Sequence, residues 1–185
     1  MGKNLTEKEF KRLIQKHIKN TDFVKVYLDH DNDSAIFGFI VKFSDHFLMI
    51  EESNDFALVG VKIVPYSKVR GIRHSRYDKI SKAIYLEEKL VRFDQNIIDK
   101  TNVENGESLF KSIKKQDFHC SIESKKNKRD IFSIGEILEI DEKSVVIKNY
   151  DPAGKFTTPH KISFKNIHVI NFNDNYTKVF RKYLK

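Results

Sequence analysis

The sequence predicts a mainly β fold with helices (α+β), built as two tandem copies of a helix plus a small five-stranded antiparallel barrel. Composition is the first observation behind this. Among 185 residues there are 15 Phe and 7 Tyr but no Trp, 3 Pro and 7 Gly, which suits short strands joined by tight turns. The second is an internal repeat. With Asp22-Phe23 set on Asp117-Phe118 and Gly38 on Gly135, the apolar positions of the halves coincide with shifts of a few residues. Ile40, Val41, Phe43, Leu48, Ile50, Val64, Val69, Ile72, Tyr77 and Ile80 then face Ile137, Leu138, Ile140, Val145, Ile147, Ile162, Ile167, Ile170, Tyr176 and Val179. The third is the placing of turn signals between short apolar runs.

Each copy opens on a helix. Phe10, Leu13, Ile14, His17 and Ile18 repeat at helical spacing, and Thr6 with Glu9 has the form of a capping box. Leu109, Phe110 and Ile113 form the shorter apolar face of the second helix, opposite Lys111, Lys114 and Lys115. First strands are predicted over 23–28 and 118–122, second strands over 37–43 and 134–140, third strands over 47–51 and 144–149. Ser44-Asp45 and Asp141-Glu142 are short enough for tight hairpins, and Asn54-Asp55 and Asp151, Pro152 and Gly154 mark the next turns. Fourth strands follow over 59–64 and 161–164, fifth strands over 69–72 and 167–170. A closing helix is carried by Tyr77, Ile80 and Ile84 in one copy and by Tyr176, Val179, Phe180, Tyr183 and Leu184 in the other. The first copy thus spans 1–94, a polar linker with Asn105-Gly106 spans 95–107, and the second copy spans 108–185.

Charge and cysteine content narrow the function classes. The net charge of +8 arises from 34 basic against 26 acidic residues, an interspersed surface with a basic bias that permits nucleic acid without demanding it. The one cysteine, Cys120, makes no internal disulfide, so a reducing cytoplasm is expected. No run of eighteen apolar residues appears and Met1 to Glu9 has no apolar signal core, so neither export nor a membrane partner is expected.

A helix followed by five bent strands, with Gly in the second strand, an acidic turn before the third and a one-turn link between fourth and fifth, resembles the Sm-like family. In that family a first motif carries an Asp followed, after two residues, by Met and then Asn, and in members that bind uridine-rich RNA the Asn contacts a base. Here Asp45 precedes His46, Phe47, Leu48 and Met49, and apolar residues, Val146 in the second copy, stand at the Asn position. A second family motif has an Arg-Gly pair that contacts RNA; Val69, Arg70 and Gly71 look similar, whereas the second copy has His168-Val169. The resemblance implies rings of barrels joined through fourth and fifth strands, so a homo-oligomer, such as a trimer imitating a six-barrel ring, or else a monomer.

Two basic clusters are candidate nucleic-acid or partner-binding residues. Lys68, Arg70, Arg73, His74 and Arg76 set five potential cations in nine residues, with Tyr66 and Tyr77 near enough to stack a base; a solvated surface accounts for the same residues. The tip between first and second strands is acidic in one copy (Asp29, His30, Asp31, Asn32, Asp33) and basic in the other (Lys125, Lys126, Lys128, Arg129). Asp29, Asp31 and Asp33 imitate a calcium loop, but Ser34 and Ile40 replace its Gly and Glu. His119-Cys120 is the one adjacent His/Cys pair, and strand neighbours point to opposite faces, so no metal site is expected, nor a cofactor. Without a phosphate loop, nucleophile elbow or zinc-protease helix, a non-enzymatic binding protein is expected. RNA is the first candidate ligand, and protein interaction or self-assembly without nucleic acid is the alternative.

Overall fold

The computed structural model describes residues 5–29, 35–126 and 129–185. The first half runs α1 (Glu7–Lys19), β1 (Phe23–Leu28), β2 (Ala35–Phe43), β3 (Phe47–Asn54), β4 (Ala57–Pro65), β5 (Val69–Arg73) and α2 (Arg76–Glu87). Then come α3 (Gln95–Lys100), α4 (Gly106–Lys115), β6 (Cys120–Lys126), β7 (Arg129–Ile140), β8 (Ser144–Asn149), β9 (His160–Ser163), β10 (Ile167–Phe172) and α5 (Asn175–Phe180). Single 3-10 turns, Tyr66–Lys68 and Phe164–Asn166, link β4 to β5 and β9 to β10. Among the described residues no helix is long and apolar enough to cross a membrane.

The two closed five-stranded barrels predicted from the sequence are not what forms. Among the described residues ten strands join one open antiparallel sheet in the order β5-β1-β2-β3-β4-β10-β6-β7-β8-β9, with five α-helices around it. The reason lies in the edge of β4. Its free hydrogen-bonding groups are met by β10, with Ile63 opposite Ile170, Lys62 opposite Asn171 and Val61 opposite Phe172. A strand edge satisfied in this way has no need to close on its own half.

Within each half the strand order and pairing registers nevertheless correspond. Val24 faces Gly38 as Cys120 faces Gly135, Val26 faces Ile72 as Ile122 faces Ile170, and Ile40 faces Ile50 as Ile137 faces Ile147. Gly38 (φ +154°) and Gly135 (φ +153°) hold conformations rarely open to other residues. A Cβ at either would lie 2.0 Å from a carbonyl oxygen of the next strand, Glu51 or Lys148.

The cores explain why the halves do not separate. Leu48, Ile50 and Val64 face the first core with Ile14, Val24, Val26 and Ile40, and Val169 of β10 reaches into the same cluster. On the opposite face Phe47, Met49, Val61 and Ile63 pack with Leu109, Phe110, Ile113 and the strands of the second half. Strands β3 and β4 are therefore covered on both sides, which fits the unbroken apolar run Phe47–Ile50. Exposing those four side chains would cost about 1.5–3 kcal/mol each. Together that is on the order of the whole net stability of a domain, about 5–15 kcal/mol. The stretch read as a linker contributes too: α3 lies within it, and Ile97, Ile98, Thr101 and Val103 are buried.

Candidate nucleic-acid interface

On β1 the side chains alternate. Val24, Val26 and Leu28 enter the first core, so Phe23, Lys25 and Tyr27 take the other face. Register then aligns neighbours across three strands. Arg73 of β5 lies opposite Lys25, which lies opposite Phe37 of β2; one row further, Gly71 faces Tyr27 and Tyr27 faces Ala35. The result is a strip of two cations and two aromatic rings, with Lys25 Nζ 5.0 Å from the Tyr27 ring centre and 4.9 Å from that of Phe37. A side chain added at Gly71 would meet nothing within 4 Å, so the surface beside Tyr27 is open.

The strip ends in a cleft of about 350 Å³ lined by Phe37, Ser53, Asn54, Phe56, Arg73, Tyr77 and Tyr85, among others. Its rings are accessible: Phe37 is 38%, Phe56 45% and Tyr77 60% exposed. The floor is rigid, because Phe23, Phe39 and Tyr85 pack together at ring separations of 5.2–5.6 Å. The Tyr85 hydroxyl also shares a hydrogen bond with Ser53.

Arg73 is fixed in this cleft by the helix behind it. Asp78, buried at the third position of α2, accepts from Arg73 Nε at 3.0 Å and Nη2 at 2.8 Å, and from the Ser75 backbone N–H at 2.6 Å. Burial opposes the Asp78 charge, but these donors overcome it and hold the carboxyl at about 2. The same hydrogen bond raises Arg73 further above its ordinary value. A bidentate pair of this kind sets the guanidinium plane while using only part of its donor fork. Arg76 covers the neighbouring ring, 4.8 Å from the centre of Tyr77.

The basic cluster of the first half does not act as one patch. Arg73 and Tyr77 line the cleft. Arg70 is skipped in the pairing of β5 with β1 and borders a separate groove with α1, together with Tyr66. Lys68 ends the 3-10 turn, where its carbonyl accepts from the Asp29 N–H. His74 turns inward to Phe23 and Asp22.

In the second half Lys125 sits across from Asp130 and Lys126 across from Arg129. The two lysines border another cleft of about 290 Å³ with His160 and Lys161. Lys128 lies outside the described residues, as do His30, Asp31, Asn32 and Asp33.

Sequence reasoning missed Lys25, Tyr27, Phe37 and Phe56. The signal for Lys25 and Tyr27 was the alternation of polar or aromatic with aliphatic residues along β1, which marks a strand with one accessible face. The group His17, Asp22 and His74 was missed as well, since its members sit on three separate segments. No family model, curated protein or solved structure matches this chain.

Proposed function

We propose that this is a non-enzymatic binding protein of the cytoplasm whose ligand is single-stranded nucleic acid, RNA in the first instance. The observation that carries this reading is the in-register row Arg73–Lys25–Phe37, flanked by Tyr27 and opening into the aromatic cleft. Lys25, Arg73 and Arg76 meet phosphates, Tyr77 and Phe56 offer ring faces to bases, and Ser53 and Asn54 present polar groups to base edges. Buried Cys120, whose thiol burial pushes up to about 12, is kept unreactive.

Fluorescence anisotropy with labelled oligouridine and mixed-sequence RNA tests this. Three phosphate contacts predict a slope of log K against log salt of about −2. Alanine at Tyr77 or Phe56 should weaken binding by about 1–3 kcal/mol per lost stack. Binding that ignores salt and these rings contradicts the proposal.

A second reading, association through sheet edges, rests on β5 and β9, each of which has a single strand neighbour among the described residues. Light scattering decides it: a mass that rises with concentration and falls when a proline is placed in β9 supports association, and a constant monomer mass rejects it.

A further inference from the structure

We infer that His17, Asp22 and His74 form a binding site for a divalent transition-metal ion of the zinc class, at the corner where α1, β1 and α2 meet. The site is assembled locally by the end of α1. Thr21 takes a left-handed conformation (φ 50°), its N–H donates to the Ile18 carbonyl, and the Asp22 N–H donates to the His17 carbonyl. This helix-ending motif folds Asp22 back beside His17, five residues earlier. His17 Nδ1 then lies 2.9 Å from Asp22 Oδ2, and His74 Nε2 lies 3.8 Å from Asp22 Oδ1. One ligand atom from each residue falls within 4.8 Å of the others, the sole such group among the described residues.

The spacing and the lone pairs suit a metal. Bonds of about 2.0–2.1 Å in a tetrahedral site put ligand atoms about 3.3–3.4 Å apart, inside the 4.8 Å that bounds one ligand atom from each of the three residues. His74 Nδ1 is 2.9 Å from the Phe23 carbonyl, which accepts only if Nδ1 carries the proton, so a neutral His74 turns its Nε2 lone pair toward Asp22. At 3.8 Å that nitrogen is too far from the carboxylate for a hydrogen bond. A backbone carbonyl that orients a ligating imidazole from behind is the usual support of a metal-binding histidine. Two imidazoles and one carboxylate favour Zn²⁺, Co²⁺ or Ni²⁺ over Mg²⁺ or Ca²⁺.

The second half shows that the fold does not require these polar residues. Helix α4 ends in the same motif, with Asp117 left-handed (φ 58°) and the Phe118 N–H donating to the Ile113 carbonyl. Ile113 and Phe118 thus stand where His17 and Asp22 do. Phe172 follows Asn171 as His74 follows Arg73, and its ring packs 5.5 Å from that of Phe118. Hydrocarbon closes this corner in one half, and a costly buried polar trio closes it in the other.

Lys82 has a different explanation. It donates to the Asn20 carbonyl and to Asp22 Oδ1, much as Arg181 donates to the Asp117 carbonyl and Asp117 Oδ2. The lysine therefore belongs to a helix-end clamp present in both halves, and it competes with the metal for one carboxylate oxygen.

The test uses untagged full-length protein freed of metal by chelation and titrated with Co²⁺, then with Zn²⁺ in competition. The expected result is one equivalent of Co²⁺ with visible absorption bands of a four-coordinate site, displaced by Zn²⁺, and a Zn²⁺-dependent rise in melting temperature. His74→Phe and the triple variant H17I/D22F/H74F, which carries the residues of the other half, should fold and lose both signals. Lys82→Met should tighten Co²⁺ binding about tenfold. Absence of the bands in the wild type, or their persistence in the folded triple variant, overturns the site and leaves an ionic lock.

Discussion

The two halves of the sheet share strand order and register but differ in what they place at matching positions. The row Arg73–Lys25–Phe37 in the first half corresponds to Asn171–Ser121–Ile134 in the second, where Asn171 Nδ2 donates to Ser121 Oγ at 3.0 Å. Phe39 and Glu51, buried together in the first half, correspond to Glu136 and Lys148, an exposed ion pair at 4.0 Å. Both halves carry a Tyr at the start of the following helix, Tyr77 and Tyr176, and bury the next residue, Asp78 and Thr177. The difference teaches which residues the architecture needs. In the row Asn171–Ser121–Ile134 neutral or aliphatic side chains satisfy it, so Arg73, Lys25 and Phe37 serve another purpose.

The largest expected effect breaks the comparison if it is unequal. Gly38→Ala and Gly135→Ala each force a Cβ onto a carbonyl oxygen, and each should cost about 3 kcal/mol or more in urea unfolding. Tolerance at one site alone would show that the registers are not equivalent.

Glu51 gives the next largest effect. Burial, reinforced by the Asp94 charge, pushes its carboxyl up to about 7 from an ordinary 4.5. Between those values the folded chain holds a proton that the unfolded chain releases, so stability falls as pH rises through this window and levels off above it. Glu51→Gln should therefore raise stability at pH 8 by up to about 3 kcal/mol and leave it unchanged at pH 4.

Asp78→Asn removes the charge of a buried carboxylate bound to a half-exposed guanidinium, and should cost about 2 kcal/mol, less than a fully buried pair. Because the folded value is about 2, below the ordinary 3.8, the stabilisation that Asp78 provides is present above pH 4 and is lost as pH falls toward 2. Thr177→Val should cost about 1.5 kcal/mol, since it removes a buried hydroxyl that donates to the Asp174 carboxylate at the helix start. The smallest effect is on binding. Lys25→Ser and Arg73→Asn, which install the residues of the second half, should each weaken RNA about tenfold, near 1.4 kcal/mol.

Much of the local structure was legible in the sequence. Thr6 and Glu9 form the expected reciprocal cap, and the hairpins fall at Ser44-Asp45 and Asp141-Glu142. What was not legible was the partner of β4. Val61 and Ile63 alternate with Lys62 as in any half-buried strand, and nothing in that pattern says whether β5 or β10 will cover the edge. Phe47 to Ile50 carried the missing hint, because a run apolar at every position needs two buried faces. The interface was hidden for a related reason. Lys25, Phe37 and Arg73 lie on three separate strands, and only the register brings them into one row.

Backbone hydrogen exchange of the wild-type protein, with and without saturating oligouridine, tests the assignment of binding to the first half most directly. Protection confined to β1, β2, β5, the β3–β4 turn and the start of α2 is the predicted result. Protection centred on β6, β7 and β10, or none at all under conditions where RNA is bound, contradicts it.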